Sequence, residues 1–309
     1  MKKRGVFLIL LNLWMCSVSV AKAETVWYPL PKEAYTFGKK YPQAQSLLFA
    51  FDYGHALVYE RLLLQRGHIT DPAKFEKGLL DEIIGKILKN PPSTKVEEID
   101  IAPEYVFTFP LTLSLFDWSH MLHQFVLDIL ATSPDRGQAM TDRVNEIYAQ
   151  YKANTPLVIT DVCKTMLFMD GHYFSKSFMR AYPSFNLLIW SYHWFQIKLY
   201  EALMKPTEAE RDKAVNDVTK QFWDLISNLP DSADFDMMPE TAKEAPTFAK
   251  RFPFLPSAFD NNHMLHDVVS DILTSEKVDA SQIRSEGIRF ARMAQDPTAF
   301  KANTCPAYP

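Results

Sequence analysis

The feature that most constrains the fold of this chain is an internal repeat of fifteen residues. Segment 116–130 reads FDWSHMLHQFVLDIL and segment 259–273 reads FDNNHMLHDVVSDIL, with ten of the fifteen positions identical and no gap. Self-similarity within one chain indicates a repeated structural unit. The rest of the chain has diverged more than these two segments, so the repeat marks the best-preserved part of each unit.

An aromatic–proline pair precedes each copy at a fixed distance. Pro110 lies ten residues before His120, and Pro253 lies ten residues before His263. Two weaker copies begin in the same way: Pro183 lies ten residues before His193, and Pro42 lies thirteen residues before His55. The alternation of weak and strong copies predicts two related halves, 24–154 and 155–309, each with two histidine-bearing helices and both packed into one compact domain.

The spacing of apolar residues is mostly helical. Helices are predicted over 75–88, 142–151, 208–229 and 281–293, and Thr207 to Glu210 has the form of a capping box. Segment 106–115 is the one stretch with an extended alternative, and its proline argues against a central strand. The expected fold class is all-α: a multi-helix bundle of two duplicated halves with a pseudo-twofold axis, whose sites are built from inward side chains.

The first 23 residues have the pattern of a secretory signal peptide. A basic start is followed by an apolar stretch over 6–20 and by Ala21-Lys22-Ala23, which predicts cleavage before Glu24. An uncleaved anchor is the alternative. No later segment is apolar enough to span a bilayer, so the mature chain is expected to be periplasmic or secreted and to have no membrane partner.

Charge and cysteine content exclude several classes of protein. The net charge is −4 and no basic stripe is present, so no nucleic-acid partner is expected. The chain has no glycine-rich phosphate loop, so no nucleotide cofactor is expected. Cys163 and Cys305 remain after signal cleavage. In an oxidising compartment they either pair or stay as separate thiols, and both alternatives are open.

Six of the eight histidines fall in the repeat motifs, and three aspartates lie three residues before a histidine. Residues three apart share one face of a helix, and neutral imidazole and carboxylate groups are ligands for Fe, Zn, Mn and Cu. Three such residues climb about 9 Å along a helix, so one of them would serve a second ion or orient a ligand. The predicted metal site comprises His55, His120, His123, His193, His263, His266, Asp52, Asp117 and Asp260.

Other interpretations of these residues remain open. The histidines are alternatively hydrogen-bonded core residues, and Asp117 and Asp260 are alternatively N-caps, which would place the histidines in the first turns of their helices. His68 and His172 lie outside the repeat and are not expected to be ligands. Four further carboxylates are interpreted as solvated helix surface rather than as part of a site: Glu60, Asp128, Glu201 and Asp271.

These features favour an exported metal-binding helical protein. The leading hypothesis is a non-haem metalloenzyme of the oxidase or oxygenase type, with iron favoured over zinc, manganese or copper and with a small-molecule substrate that the sequence does not identify. A helical di-metal hydrolase is chemically possible as well. The alternative is a non-catalytic periplasmic metal or haem binding protein, and a third possibility is an interaction protein whose histidines form the core or a pH switch.

Overall fold

Helices account for the regular secondary structure of residues 35–227, 229 and 238–303, which are the residues that the computed structural model describes. The exception is an isolated antiparallel bridge between Lys164 and Lys301. The signal-peptide prediction and Cys305 lie outside the described residues. The all-α prediction is confirmed, and the described part of the chain belongs to one unit, Pro31–Pro309.

Fifteen α-helices are present in the described residues, with one π-helical and one 3-10 segment. In chain order they are α1 Thr36–Lys40, α2 Pro42–Leu64, α3 Pro72–Glu82 with its π-helical continuation Ile83–Leu88, α4 Glu98–Ile101, α5 Pro103–Thr108, α6 Pro110–Thr132, α7 Gln138–Ala153, the 3-10 turn Thr155–Leu157, α8 Leu167–Asp170, α9 Ser177–Ala181, α10 Pro183–Leu203, α11 Glu208–Ser227, α12 Thr241–Glu244, α13 Pro246–Arg251, α14 Leu255–Thr274 and α15 Ile283–Gln295.

The four helices predicted from apolar spacing are all present, within a few residues of their expected ends. The capping box also forms: Glu210 N–H donates to Thr207 Oγ1 at 3.3 Å, and Thr207 N–H donates to Glu210 Oε2 at 3.0 Å. The extended alternative for 106–115 is wrong. Pro110 is the first residue of α6, where a helix tolerates proline because that N–H has no partner in any case.

The long helices α2, α6, α10 and α14 form the centre of the protein. Most of their residues are buried, on more than one face. Helix α14 contacts α2 and α6, and α10 contacts α6. Helices α11 and α7 cover α10 and α6, and α15 packs against α14 and α6. The four histidine-bearing helices therefore lie at the centre of the core.

Each central helix is entered through a short helix with two aromatic residues. One aromatic residue directly precedes the proline and the other lies four residues earlier, so they meet on one face. The ring centroids of the four pairs are 5.2 Å apart for Phe37–Tyr41, 5.8 Å for Tyr105–Phe109, 5.6 Å for Phe178–Tyr182 and 5.3 Å for Phe248–Phe252. All eight rings are buried, so each entry segment is fixed by apolar packing.

A carboxylate eighteen residues after each proline caps one of these short helices. The N–H groups of a first turn have no partner within their own helix and favour an anionic acceptor. The bonds run from Tyr105 N to Glu60 at 2.9 Å, from Phe37 N to Asp128 at 2.7 Å, from Thr247 N to Glu201 at 2.9 Å and from Phe178 N to Asp271 at 2.8 Å. The interpretation as solvated surface is thus wrong for Glu60, Asp128 and Asp271, which are buried, whereas Glu201 is partly exposed.

The caps link the central helices in two pairs. Glu60 on α2 caps α5, which leads into α6, and Asp128 on α6 caps α1, which leads into α2. Helices α10 and α14 exchange caps in the same way, through Glu201 and Asp271. Within each pair, each long helix therefore fixes the start of the other.

Two further observations concern Cys163 and the length and apolarity of the helices. Cys163 is disulfide-bonded. Among the described helices none is both long and apolar enough to cross a membrane.

Candidate functional site

The structure brings the six repeat histidines together in one continuous cluster. They come from all four central helices, and five of them are at most 6% exposed, while the His120 side chain is 18% exposed. Neighbouring rings form a closed circuit. Its centroid distances are 5.0 Å for His55–His266, 5.4 Å for His266–His120, 6.3 Å for His120–His123, 5.6 Å for His123–His263, 4.1 Å for His263–His193 and 5.8 Å for His193–His55.

The two other histidines lie apart from the cluster. His68 is exposed. The His172 Nε2 lies 3.1 Å from the Phe168 carbonyl oxygen, and its ring packs edge-on against Phe290.

Burial keeps five of the cluster histidines neutral. It lowers the pKa of His55, His123, His193 and His266 well below the usual value, and the pKa of His263 to about 3. Neighbouring histidines lower each of these pKa values further. A neutral imidazole has a free lone pair, which is the form that binds a metal ion.

Six buried ring nitrogens of the cluster have no hydrogen-bond partner. They are Nδ1 and Nε2 of His55, Nε2 of His123, Nε2 of His193, Nδ1 of His263 and Nδ1 of His266. A buried polar atom without a partner costs free energy, and the great majority of such atoms in folded proteins are satisfied. Six such atoms at one place distinguish the cluster from an ordinary packed core.

Two of the histidines are held through their other ring nitrogen. Tyr200 Oη lies 2.5 Å from His123 Nδ1, which leaves His123 Nε2 unpartnered. His263 Nε2 lies 3.1 Å from Gln196 Oε1. Because an amide oxygen only accepts, the hydrogen lies on His263 Nε2 and the lone pair lies on its Nδ1.

The three predicted aspartates occupy different positions around the cluster. Asp52 Oδ1 lies 3.5 Å from His120 Nδ1. Asp117 Oδ1 accepts a hydrogen bond from Lys95 Nζ at 3.0 Å. Asp260 Oδ1 accepts from both Thr241 N at 3.0 Å and Thr241 Oγ1 at 2.6 Å, at the start of α12.

None of these aspartates is the N-cap of its own helix, so that alternative is wrong. Helix α6 begins at Pro110 and α14 begins at Leu255, well before Asp117 and Asp260. The aromatic–proline segments determine where the helices begin, and the histidines consequently lie in mid-helix.

Two cavities adjoin the cluster. One, the Asp52 cavity, is lined by Asp52, His55, His120 and His266 together with Glu98, Asp117 and aromatic residues, and its volume of about 20 Å³ is enough for one water-sized molecule. The other has a volume of about 50 Å³, and His193 is the cluster histidine that lines it, beside Asp267. Burial raises the pKa of Asp267 to about 8, and Asp271 and Asp170 raise it further.

Gln196 is a member of the cluster that the sequence analysis missed. It lies thirteen residues after Pro183, as His55 follows Pro42, His123 follows Pro110 and His266 follows Pro253. Counting both ten and thirteen residues from each proline would have identified it. Lys95 has no comparable sequence signal, because it lies between helices and contacts Asp117 only through tertiary packing. Tyr200 lies on α10, four residues after Gln196 on the same helix face, and contacts His123 of α6.

As the side chains stand, no three His, Cys, Asp or Glu residues in the described ranges form a group that could hold a metal ion. Some neighbouring rings are close to parallel: His55 and His266 are inclined by 18°, and His120 and His266 by 9°.

The fold and the cluster define an all-α protein with six histidines enclosed by four central helices. Comparisons with protein-family models, with curated proteins and with solved structures give no match to this chain.

Proposed function

We propose that the histidine cluster is the transition-metal centre of an exported helical protein, with iron as its ion in preference to zinc, manganese or copper. The six buried, unpartnered ring nitrogens carry this proposal. Each such atom costs about 1–3 kcal/mol when it is left unpaired, and a bound ion would satisfy several of them at once.

The aspartates take two roles in this proposal. Asp52, beside His120, supplies a carboxylate donor. Asp117 and Asp260 hold the surroundings of the site through Lys95 and Thr241. Partners of this kind orient the donors that contact a metal ion and tune their basicity.

We further propose that the bundle consists of two duplicated halves with a pseudo-twofold axis. Reciprocal contacts support it: Phe116 stacks on His266 at 3.7 Å, and Phe259 stacks on His123 at 3.8 Å. The backbone at the entry of the halves also agrees, with φ of 63° at Tyr35 and 62° at Lys176, both in the left-handed region. A metal centre at such an axis would draw donors from both halves.

The reaction class that fits best is an oxidation or oxygenation of a small molecule by a non-haem enzyme. Histidine–carboxylate sites with an open position suit iron, which would supply redox chemistry there. The Asp52 cavity gives a water-sized molecule a place beside these donors. Non-catalytic metal binding is the second candidate, favoured by the nearly complete burial of five of the six histidines.

Export is part of the same proposal. The predicted signal peptide directs the chain out of the cytosol, and disulfides such as that of Cys163 persist in oxidising compartments. The working location would be the periplasm or the exterior of the cell.

Elemental analysis of the protein purified without a His-tag tests the metal centre. We expect about one or two equivalents of a transition metal, lost in a His120→Ala, His263→Ala double variant and kept in the control His172→Ala. A metal-free wild-type protein that stays metal-free after exposure to Fe, Mn, Zn and Cu would contradict the proposal.

A further inference from the structure

We propose that the cluster holds two ions in two distinct sets of residues, and that small molecules meet the ion of the set that contains Asp52. The Asp52 set comprises Asp52, His55, His120 and His266. The Gln196 set comprises Gln196, His123, His193 and His263. This inference rests on the proposed metal centre and adds to it the number of ions, the members of each set and the place where chemistry occurs.

The register of the central helices supplies the eight positions. Each helix carries one residue ten positions after its proline and another thirteen positions after it, and residues three apart share a helix face. The pairs are Asp52 and His55 on α2, His120 and His123 on α6, His193 and Gln196 on α10, and His263 and His266 on α14. Seven of the eight side chains have imidazole or carboxylate donors, and Gln196 is the exception.

Distances divide these residues into the two sets. In the Asp52 set, His266 lies 5.0 Å from His55 and 5.4 Å from His120, between ring centroids, and His120 Nδ1 lies 3.5 Å from Asp52 Oδ1. Two imidazoles on one ion place their centroids about 4.5–5.2 Å apart, given metal–nitrogen bonds near 2.1 Å. The spacing of this set is therefore close to what one ion needs.

The Gln196 set has one pair of rings closer together than this range and one pair farther apart. His263 lies 4.1 Å from His193 and 5.6 Å from His123, between ring centroids, and its Nε2 lies 3.1 Å from Gln196 Oε1. Contacts between the two sets are longer, at 5.8 Å for His55–His193 and for His193–His266 and 6.3 Å for His120–His123. The six histidines thus separate into three and three.

The sets differ in their access to space. All four members of the Asp52 set line the Asp52 cavity. Of the Gln196 set, His193 alone lines a cavity, the one beside Asp267. Metal sites that perform chemistry keep one position open, whereas structural sites are closed by protein donors. The Asp52 set also has the carboxylate that suits iron. It is therefore the set at which a small molecule would meet the ion.

Gln196 is a positioning residue in the second set. Its amide oxygen accepts the His263 Nε2 hydrogen, which directs the His263 Nδ1 lone pair into the cluster. Gln196→Glu keeps an acceptor at that place and should keep both ions. Gln196→Leu should lower the affinity for one ion about 10–100-fold and leave the other unchanged, as measured by chelator competition.

Anaerobic loading with Fe(II) tests the division directly. We expect about two ions per wild-type chain and about one in each of two double variants, Asp52→Asn with His55→Gln and His193→Gln with His263→Gln. Nitric oxide serves as a small uncharged probe of an open iron position. Its paramagnetic resonance signal should persist in the His193/His263 variant and disappear in the Asp52/His55 variant. His172→Gln is the matched control and should behave like the wild type.

The outcomes distinguish this inference from the proposed function. A wild type that takes up no metal contradicts the metal centre itself. About one ion in the wild type, or loss of all metal in either double variant, leaves the centre standing and overturns the two sets. A nitric oxide signal that survives in the Asp52/His55 variant overturns the choice of the open set. Circular dichroism checks folding, and the single variant Asp52→Asn, read by the same signal, replaces a double variant that does not fold.

Discussion

Five of the six cluster histidines combine a polar side chain with nearly complete burial. The histidines are polar, yet burial removes their solvent and leaves ring nitrogens with free lone pairs. Each charged form would cost far more in this environment than the neutral form, which is why the pKa values are lowered. Loss of solvent at these nitrogens costs free energy in the metal-free protein. It also leaves their lone pairs available to an ion.

The pH dependence of stability follows from the lowered pKa values. Below about pH 6.5 the unfolded metal-free chain binds protons that the folded chain cannot bind at His55, so stability falls as the pH falls through this range. Buried carboxylates with raised pKa values, such as Asp271 at about 6, act in the opposite direction. A comparison of the wild type with a His55 variant at two pH values cancels the contribution of these carboxylates.

We therefore expect the metal-free wild type to lose about 1.4 kcal/mol more stability between pH 7.5 and 5.5 than His55→Gln does. Urea unfolding followed by circular dichroism measures both. Equal losses in the two proteins would show that His55 is protonated in the folded state.

The hydroxyl of Tyr200 should matter for metal affinity because it holds His123 Nδ1. Tyr200→Phe is expected to weaken metal binding about 10–100-fold. Tyr59→Phe is the matched control, since the buried Tyr59 hydroxyl bonds to the His266 backbone carbonyl instead of a ring nitrogen. Competition with a chromogenic chelator measures both variants, and an equal effect in the two would refute a specific role for Tyr200.

At the scale of elements, the central helices are fixed at both ends by features of different kinds. Proline and buried aromatic rings begin three of them directly, and near the other end a carboxylate binds the entry of the paired helix. Asp260 and Asn261 look like a helix start in the sequence, but they lie inside α14. The aromatic–proline segment upstream determines the start, because its rings are buried.

Loss of one such carboxylate should destabilise the fold without touching the cluster. Asp128→Ala leaves the buried Phe37 N–H without an acceptor and is expected to cost about 1–3 kcal/mol of unfolding free energy. Asp100→Ala, at an exposed position, should stay within about 0.5 kcal/mol of the wild type. A chemical denaturation series compares the two, and equal stability would show that the cap is dispensable.

The whole molecule is organised so that neither proposed half completes the centre. Phe116 and His120 lie on α6, yet both rings stack on His266 of α14. Asp52 is near His120, whereas His55 of the same helix is near His266. Donors for one place thus come from helices far apart in the chain, so the centre and the core form together.

This shared core predicts one cooperative unfolding transition for the metal-free chain. Phe116→Ala and Phe259→Ala each remove a buried ring stacked on a histidine, and each should lower stability by about 3–5 kcal/mol. Tryptophan fluorescence and circular dichroism should report the same midpoint in both variants. Two separate transitions would show that the halves fold independently.

The helical class, the helices with regular apolar spacing and the positions of the six histidines could be predicted from the sequence. These properties depend on periodicity and on residues a few positions apart, both of which are local features of the chain. The exchange of α6 and α14 contacts, the caps from Glu60 and Asp128, and the cavity beside Asp52 were decided by tertiary structure alone. They depend on which helix faces pack together, and the free energy of that packing is spread over residues that no local pattern connects.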